Sequence, residues 1–476
     1  MKQKIIKKSI IFIIAIALLI FINSTVYALE LQKEVLFKEI SFSDLIQGND
    51  NGYITVGYNF DDTKDFPVNG SSSAFIIKFN DKLEIEWKKF FDGNGGDYFY
   101  SVTNCEKGYV AAGLSSSSDI ESLTNPNKEE HPLIVKYDNS GNLIWKKLYT
   151  YNKGSFYDVI HTSNDEYIAV GYIENEKMES QGLIVKYDKN GNEIWKQTYA
   201  TSSTTLFKAA SLTNDNGLVI VGKTKENNFD ALIIKCDSNG HIEWQKNFGG
   251  SKSEEFSSIA VTKDNEFVAV GYTESDDING IKNNGESDSI IIKFDNSGNI
   301  IWQKNFGYQG EDEFFSIISS ANEYIVCGVA TTATDNMGAI MLNYDSNGNI
   351  IWKEEYDKTN SNEVFGSPVI NTKTNTITLI GFTGTDTSSS TFIFQYLLPQ
   401  KDANDDALTN TNTINNTADN TLTSNVITNN QNNIDKTISN KILPFAGKNF
   451  KILLSIILII ALIGFFSYLK YSYLFK

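Results

Sequence analysis

Between residues 29 and 398 the chain alternates short apolar stretches with polar turns, and this pattern predicts β-strands. Each stretch of about 50 residues contains four predicted strands, which we name a to d. In one copy, strand a covers residues 98–104, strand b 108–113, strand c 132–138 and strand d 142–149. Strand b ends in glycine, and an Asp–Gly turn, suited to a tight hairpin, joins strand c to strand d.

The four-strand unit is repeated along the chain. Tryptophan marks strand d in six copies, about 53 residues apart on average: Trp87, Trp145, Trp195, Trp244, Trp302 and Trp352. Glycine marks the end of strand b in seven copies: Gly57, Gly113, Gly171, Gly222, Gly271, Gly328 and Gly381. Four-stranded units with this period are typical of β-propellers. We therefore predict an all-β, seven-bladed β-propeller over residues 29–398.

The seventh unit ends after its strand c, at residues 391–398, and has no strand d of its own. Residues 33–40 resemble a strand d, with Phe37 at the tryptophan position. We predict that this N-terminal strand pairs with residues 391–398 and closes the ring. Such pairing also covers two sheet edges that would otherwise invite aggregation.

The repeat pattern, a strand ending in Gly-Tyr followed by I-K-x-D-x-x-G-N-x-x-W, resembles secreted bacterial β-propeller repeats of the PQQ-like type. The resemblance covers nearly all of residues 33–398 and implies the fold, whereas propellers host many unrelated activities. Quinone-dependent dehydrogenases and sialidases rely on arginine, and this chain contains none. We therefore expect neither a quinone cofactor nor a sialidase-like site.

Residues 1–28 predict a secretory signal peptide. A lysine-rich start precedes an apolar run at residues 10–22, and a short polar segment ends in Ala28. An uncleaved N-terminal anchor is the alternative. With either interpretation, the propeller is expected outside the cell.

The C-terminal part of the chain predicts a tether. Residues 399–440 are rich in Asn and Thr and have almost no large apolar side chains, so we expect a disordered linker. Residues 441–476 contain an uncharged apolar run at 452–469, about the minimum length for a membrane helix, and a basic tail. This arrangement predicts an anchor on the extracellular face of the cell envelope.

A pentapeptide precedes the apolar run: Leu443, Pro444, Phe445, Ala446 and Gly447. The motif, apolar helix and basic tail together resemble the cell-wall sorting signal of Gram-positive surface proteins. In that family a sortase cleaves before the glycine and joins the chain to peptidoglycan. Threonine is usual where Ala446 stands, so a plain C-terminal membrane anchor is the alternative.

Charge and composition exclude other classes. The chain has 41 basic and 58 acidic side chains and a formal net charge of −17, which argues against nucleic-acid binding. Three cysteines cannot form a disulfide framework, and the three histidines share no metal-ligand spacing. We expect no cofactor.

Calcium is the one metal for which the sequence offers a candidate, since carboxylates and amides are its usual ligands. The strongest set is Asp92, Asn94 and Asp97, with an ordinary loop as the alternative. The Asp–Gly turns contribute only one carboxylate each, which favours simple hairpins. We expect the tryptophans and the strand-b glycines to be structural packing positions.

Variable loops suggest where a ligand binds. The b–c loops differ in length, whereas the a–b and c–d turns are uniform, so variation is concentrated on one face of the disc. Loops 114–131 and 273–287 are the leading candidates. The first hypothesis is a non-enzymatic surface propeller that binds an extracellular protein or glycan there.

Two other hypotheses stay open. One is a surface polysaccharide hydrolase or lyase that uses loop carboxylates, for which the acids at 129–130, 254–255 and 311–313 could include a catalytic pair. The other is a scaffold in a cell-envelope complex. An enzyme should bring acids with raised pKa values together at the channel mouth, whereas a binding module should show an aromatic or polar patch.

Overall fold

The computed structural model describes residues 29–200, 203–331, 337–357, 361–385 and 388–399. The predicted signal peptide, linker, sorting motif and anchor lie outside these residues. Within them, all regular elements are β-strands, arranged as seven four-stranded antiparallel sheets. The described residues include no helix that could cross a membrane.

Six of the sheets, blades 1 to 6, each contain four consecutive strands in the order a, b, c, d. Blades 1 to 3 are formed by β2 (Ile40–Gln47), β3 (Tyr53–Asn59), β4 (Ser73–Phe79), β5 (Ile85–Phe91), β6 (Asp97–Cys105), β7 (Gly108–Ser115), β8 (His131–Asp138), β9 (Leu143–Leu148), β10 (Gly154–His161), β11 (Tyr167–Glu174), β12 (Ser180–Tyr187) and β13 (Glu193–Tyr199). Blades 4 to 6 are formed by β14 (Thr204–Leu212), β15 (Leu218–Lys225), β16 (Phe229–Cys236), β17 (Ile242–Phe248), β18 (Glu254–Val261), β19 (Phe267–Thr273), β20 (Asp288–Phe294), β21 (Ile300–Phe306), β22 (Glu313–Ser320), β23 (Glu323–Thr331), β24 (Met337–Tyr344) and β25 (Ile350–Tyr356).

Blade 7 is assembled from both ends of the propeller. Its strands are β26 (Asn362–Asn371), β27 (Thr376–Thr385), β28 (Ser388–Leu397) and the N-terminal β1 (Glu30–Lys38). Strand β1 pairs antiparallel with β28 in the place of strand d. The predicted seven-bladed all-β propeller, closed by its N-terminal strand, is confirmed.

The register of the closing pair differs from the predicted alignment. In blade 1, Trp87 pairs with Lys78 just after an irregularity in the register. In the closing pair the corresponding irregularity precedes Lys33, which pairs with Gln395, whereas Phe37 lies further along and pairs with Thr391. Lys33 therefore occupies the tryptophan position, and the assignment of Phe37 to it was wrong.

The a strands form the inner ring, contacting one another in the order β2, β6, β10, β14, β18, β22 and β26, and then β2 again. Apolar residues of the a, b and c strands fill the spaces between neighbouring blades. One such cluster joins Ile54, Val56 and Ile76 of blade 1 to Phe99 and Val135 of blade 2. Burial of apolar surface between blades is the main stabilising contribution.

Several tryptophans connect their blade to the following one. The Trp87 indole N–H donates to the carbonyl of Asn139, in the c–d turn of blade 2, over 3.2 Å. Gly141 of that turn has φ of +76°, and a Cβ there would lie 2.8 Å from the Trp87 ring. The same hydrogen bond follows from Trp145 to Lys189, from Trp244 to Asn296 and from Trp302 to Ser346.

The junction between blades 7 and 1 uses different residues for the same purpose. Lys33 donates a hydrogen bond to the carbonyl of Lys82 in the c–d turn of blade 1. Leu83, with φ of +58°, stands where the other turns have glycine and is buried in a cluster with Val35 and Phe37. Because no indole ring covers this turn, a leucine side chain fits.

A β-bulge interrupts strand a in blades 1 to 6 and leaves one residue without a partner in strand b: Ser43, Tyr100, Tyr157, Lys208, Ser257 and Phe315. The bulge brings strand a close to the strand-b glycine, so that a Cβ on Gly171 would lie 2.0 Å from the carbonyl oxygen of Ser155. Glycine is required there because no other residue fits.

Candidate functional site

The two faces of the disc carry different connections. Strand a begins and strand b ends on the face that carries the d–a and b–c loops, which we call the loop face. The a–b and c–d turns lie on the opposite face, the turn face. Strand β1 begins and β28 ends on the turn face, so both ends of the propeller are on that side.

On the loop face, six aromatic side chains form a continuous chain of ring contacts across blades 1 to 3. We call this set the aromatic arc: Phe60, Tyr58, Tyr98, Tyr100, Tyr157 and Tyr172. The centroids of successive rings are 5.4, 4.9, 6.1, 5.7 and 5.7 Å apart. The tyrosines are partly buried, and Phe60 is 58% exposed. The arc therefore offers a partly exposed aromatic surface at the inner ring.

In blades 4 to 6 the corresponding part of the loop face carries charged side chains, which we call the lysine–glutamate cluster. Glu255 is buried and forms ion pairs with Lys208, at 3.1 Å, and with Lys223, at 2.5 Å. The Ser257 hydroxyl donates to the Glu313 carboxylate over 3.0 Å. Burial and the negative charge of Glu255 raise the pKa of Glu313 to about 7. The cluster thus combines one carboxylate paired with two lysines and one whose pKa is raised to about 7.

Acidic side chains surround the tyrosines as well. Burial raises the pKa values of Tyr100, Tyr157 and Tyr172, and the negative charge of Glu130 adds to the rise in all three. Glu174 has the same effect on Tyr172. The negative charge of Glu130 therefore acts on three tyrosines of the arc, while the Lys208 ammonium lies 4.9 Å from the centroid of the Tyr157 ring.

The predicted calcium ligands are engaged in ordering the loop between blades 1 and 2. Asp97 is buried and accepts hydrogen bonds from the Gly93 amide and from the hydroxyls of Ser115 and Ser117. Asp92 accepts from the Asn69 amide, and the Asn94 side chain contacts Ser118. Within the described ranges, no three His, Cys, Asp or Glu side chains are grouped so that they could hold a metal ion.

The aspartates of the c–d turns bind their own backbone. Asp295 accepts hydrogen bonds from the amides of Ser297 and Asn299 and from the Asn299 side chain, at 2.8 to 2.9 Å. These bonds lower the pKa of Asp295. The turn is thus a hairpin whose carboxylate caps its own N–H groups.

The histidines and cysteines lie apart from the aromatic arc. His131 bonds the Asn152 carbonyl, and His161 pairs with Asp165 and stacks on Tyr167. His241 caps its own turn through Asp237. The three cysteines are buried and unpaired: Cys105, Cys236 and Cys327.

The two long loops that the sequence singled out fold against neighbouring loops. In loop 114–131, Asp119 accepts from the Asn94 amide over 2.7 Å. In loop 273–287, Asp277 accepts from the Ser251 amide over 2.9 Å. The aromatic arc is built instead from strand positions and Phe60, with only Glu130 contributed by one of these loops.

Of the acids considered for catalysis, Glu255 and Glu313 share the cluster on the inner ring. Glu254 is buried and accepts from the Gly250 amide over 2.9 Å, and Asp312 accepts from the Tyr308 amide over 2.8 Å. These two residues fix the d–a loops. Glu129 pairs with Lys153.

A cavity of about 480 Å³ lies at the other end of the a strands, and its lining includes Asp44, Gln47, Asn104, Ser316, Ser320 and Thr372. Asp44 accepts a hydrogen bond from the Val102 amide of the next blade over 2.9 Å, and Asp158 accepts from Ala210 in the same way. Burial raises the pKa of Asp44 to about 7. These carboxylates tie the inner strands together.

The sequence contained one signal for the aromatic arc. Tyr58 and Tyr172 directly follow strand-b glycines, and Tyr100 and Tyr157 follow the phenylalanine of strand a. Aligning the seven repeats on those two residues would have revealed which positions reach the inner ring. Knowledge of the bulge was needed to interpret the alignment.

Parts of the chain are similar to a known protein family and to solved structures. A family model described as outer membrane protein assembly factor BamB matches residues 180–391. No curated protein matches the chain. Similar solved structures include the Pan2 WD40 domain of Neurospora crassa, at 12% identity, covering 76% of this chain and 90% of that one, with a TM-score of 0.47. Another is YCF48 bound to D1 peptide, at 12% identity, with coverages of 77% and 95% and a TM-score of 0.45. The repeats of this chain are thus similar, over residues 180–391, to those of the BamB family.

Proposed function

We propose that this protein is a non-enzymatic, surface-anchored β-propeller that binds a macromolecular ligand at the aromatic arc. The observation that carries the proposal is the unbroken chain of six aromatic rings on the loop face. Tyrosine is enriched in protein binding sites because it offers a large apolar ring, a polar hydroxyl and little rotamer entropy to lose.

The lysine–glutamate cluster supports binding more than catalysis. Glu255 is 6% exposed, and both of its oxygens are taken by lysines. A carboxylate that is buried and paired in this way is poorly placed to reach a substrate. We therefore assign the cluster a structural role beside the arc.

A polysaccharide hydrolase is the second candidate, and one observation favours it. Glu255 is paired with lysines, whereas Glu313 has a pKa of about 7. Glycoside hydrolysis uses two carboxyl groups, one of which acts as a general acid, and a raised pKa suits Glu313 to that role. Loss of turnover on Glu313→Gln would identify this function.

Anchoring on the extracellular face of the envelope is the second part of the proposal. It is supported by the signal-peptide pattern of residues 1–28, the linker at 399–440 and the sorting-like segment at 441–476. Both ends of the propeller lie on the turn face.

The binding proposal is tested by the double substitution Tyr100→Ala and Tyr157→Ala. Removal of two adjacent rings from the arc is expected to weaken binding at least tenfold, since central aromatic contacts typically contribute about 2 kcal/mol or more. The measurement is binding of labelled protein to a glycan array and to a synthetic peptide array, alongside assays for release of sugars.

Tyr151→Ala is the matched control for this experiment. Tyr151 is 72% exposed on the loop face and contacts Tyr149 and Lys196 rather than the arc. Its substitution should leave binding unchanged. Equal binding by the double variant and the original protein would contradict the proposal, and so would catalytic release of sugars.

The anchoring proposal is tested on whole cells that produce the protein. If a sortase joins the chain at residues 443–447, muramidase should release it and detergent alone should not. Substitution of Pro444 by Ala should then convert it into a detergent-extractable protein. Extraction of the original protein by detergent would instead identify a plain membrane anchor, and recovery of the intact chain in the medium would contradict both forms.

A further inference from the structure

We infer that the ligand of the aromatic arc is a basic peptide segment of a partner protein, rich in lysine or arginine. The inference rests on the proposed function and names the chemistry of its ligand. Three observations carry it: acidic side chains without ion pairs around the arc, a lysine already lying over one of its rings, and the way the rings cover one another.

The acidic side chains come from two blades. Glu130 acts electrostatically on Tyr100, Tyr157 and Tyr172, and Glu174 acts on Tyr172. Neither glutamate forms an ion pair with a residue in the described part of the chain, whereas Glu129 and Glu255 pair with lysines. The loop face thus has negative charge near the arc that a cationic partner would neutralise.

The arc already accommodates a cation of the protein itself. The Lys208 ammonium lies over the Tyr157 ring, 4.9 Å from its centroid, while also pairing with Glu255. Lys223 lies in the same way over Phe229, at 4.6 Å. A cation over an aromatic face is attracted by the ring quadrupole, more strongly where water is excluded. Further ammonium or guanidinium groups would bind by the same interaction wherever a ring face of the arc is left open.

The packing of the rings favours a peptide over a neutral glycan. Tyr58 and Tyr98 meet at an interplanar angle of 64°, and Tyr100 and Tyr157 at 51°. Neighbouring rings therefore cover part of one another's faces, whereas a sugar ring stacks on an open face. The tyrosine hydroxyls, which can accept hydrogen bonds, and the nearby carboxylates suit a peptide with cationic side chains. An extended segment of roughly eight residues would span the arc at ~3.4 Å per residue.

The experiment uses the full chain in detergent micelles and three probes: an octapeptide of alternating Lys and Ser, its Glu-Ser counterpart and cellohexaose. Binding is measured by isothermal titration calorimetry at 50 and 300 mM NaCl. We expect the lysine peptide to bind and the other two probes not to bind. Because exposed charges are screened by salt, its affinity should fall severalfold at the higher concentration.

The variants distinguish binding of the lysine peptide at the arc from a general attraction of basic peptides to an acidic protein. The double substitution Glu130→Gln and Glu174→Gln should lower the affinity for the lysine peptide at least tenfold. The double substitution Tyr100→Ala and Tyr157→Ala should have the same effect. Glu121→Gln is the matched control, because Glu121 is an exposed acid of the same loop, 114–131, and lies nine residues before Glu130. The Glu121→Gln variant should bind the lysine peptide with the same affinity as the original protein.

The outcomes distinguish this inference from the proposed function. If the lysine peptide fails to bind, or binds equally to the Glu130/Glu174 variant, the inference is overturned. If array binding is nevertheless lost with the tyrosines, the proposed function stands and the ligand is of another class. If the tyrosine variant binds every probe normally, both fail.

Discussion

Deletion of β1, residues 30–38, is expected to abolish cooperative folding of the propeller. The deletion exposes the outer edge of β28 along eight paired positions and removes Val35 and Phe37 from the cluster between blades 7 and 1. Loss of one buried aromatic side chain alone typically costs about 3–5 kcal/mol. The total approaches the whole stability of an ordinary domain, roughly 5–15 kcal/mol.

The measurement is thermal and urea unfolding, followed by circular dichroism, of residues 29–399 with and without β1. A circular permutant is the control. It begins at Ile40 and carries residues 30–38 after Leu398, joined by a copy of the turn at residues 138–141. Since Glu30 lies opposite Leu397, a hairpin can make this connection. The permutant should unfold cooperatively, and a deletion variant that does so equally well would contradict the closing role of β1.

The fold could be predicted because the evidence for it is local and is repeated seven times. In blades 2 to 6 the strand-c Asp, turn Gly and strand-d Trp lie within about ten residues of one another, and the period of the repeat fixes the blade count. The predicted strand a at 98–104 became Asp97–Cys105, and strand c at 132–138 became His131–Asp138. Repetition compensates for weak evidence in any single copy.

The register of the closing strand could not be predicted in the same way. A sequence comparison placed Phe37 with the tryptophans because both are aromatic. The structure places Lys33 there because the irregularity at Leu31 shifts the pairing. Long-range pairing between residues some 360 positions apart depends on the geometry of the whole ring, which the local sequence does not contain.

The aromatic arc was missed for a related reason. Its members lie in three blades, and Glu255 and Glu313 are 58 residues apart in the chain. The closed ring brings the a strands of neighbouring blades together, and Tyr100 and Tyr157 are the bulge residues of two of these strands. The bulge also explains the strand-b glycines, whose lack of a Cβ lets the bulged strand approach. One backbone irregularity thus shapes both the fold and the surface at its centre.

The second large effect on stability is expected where Trp244 of blade 4 packs against Gly298 of blade 5. Gly298 has φ of +77°, and a Cβ there would lie 2.8 Å from the Trp244 ring, whose N–H donates to Asn296. Gly298→Leu should destabilise the protein by about 3–4 kcal/mol, through the left-handed backbone and the steric clash together. Trp244→Ala should cost about 2–4 kcal/mol through lost packing and the lost hydrogen bond.

The double variant should be less destabilised than the sum of the two by at least about 1 kcal/mol. With the indole removed, a leucine at position 298 can occupy its space, as Leu83 does beside Lys33. Chemical unfolding of the four proteins measures this coupling. Gly280→Leu isolates the backbone strain, because Gly280 has φ of +82° but only the end of Gln303 nearby. It should cost about 1–2 kcal/mol. Additive effects of the two substitutions would show that the indole does not dictate glycine in these turns.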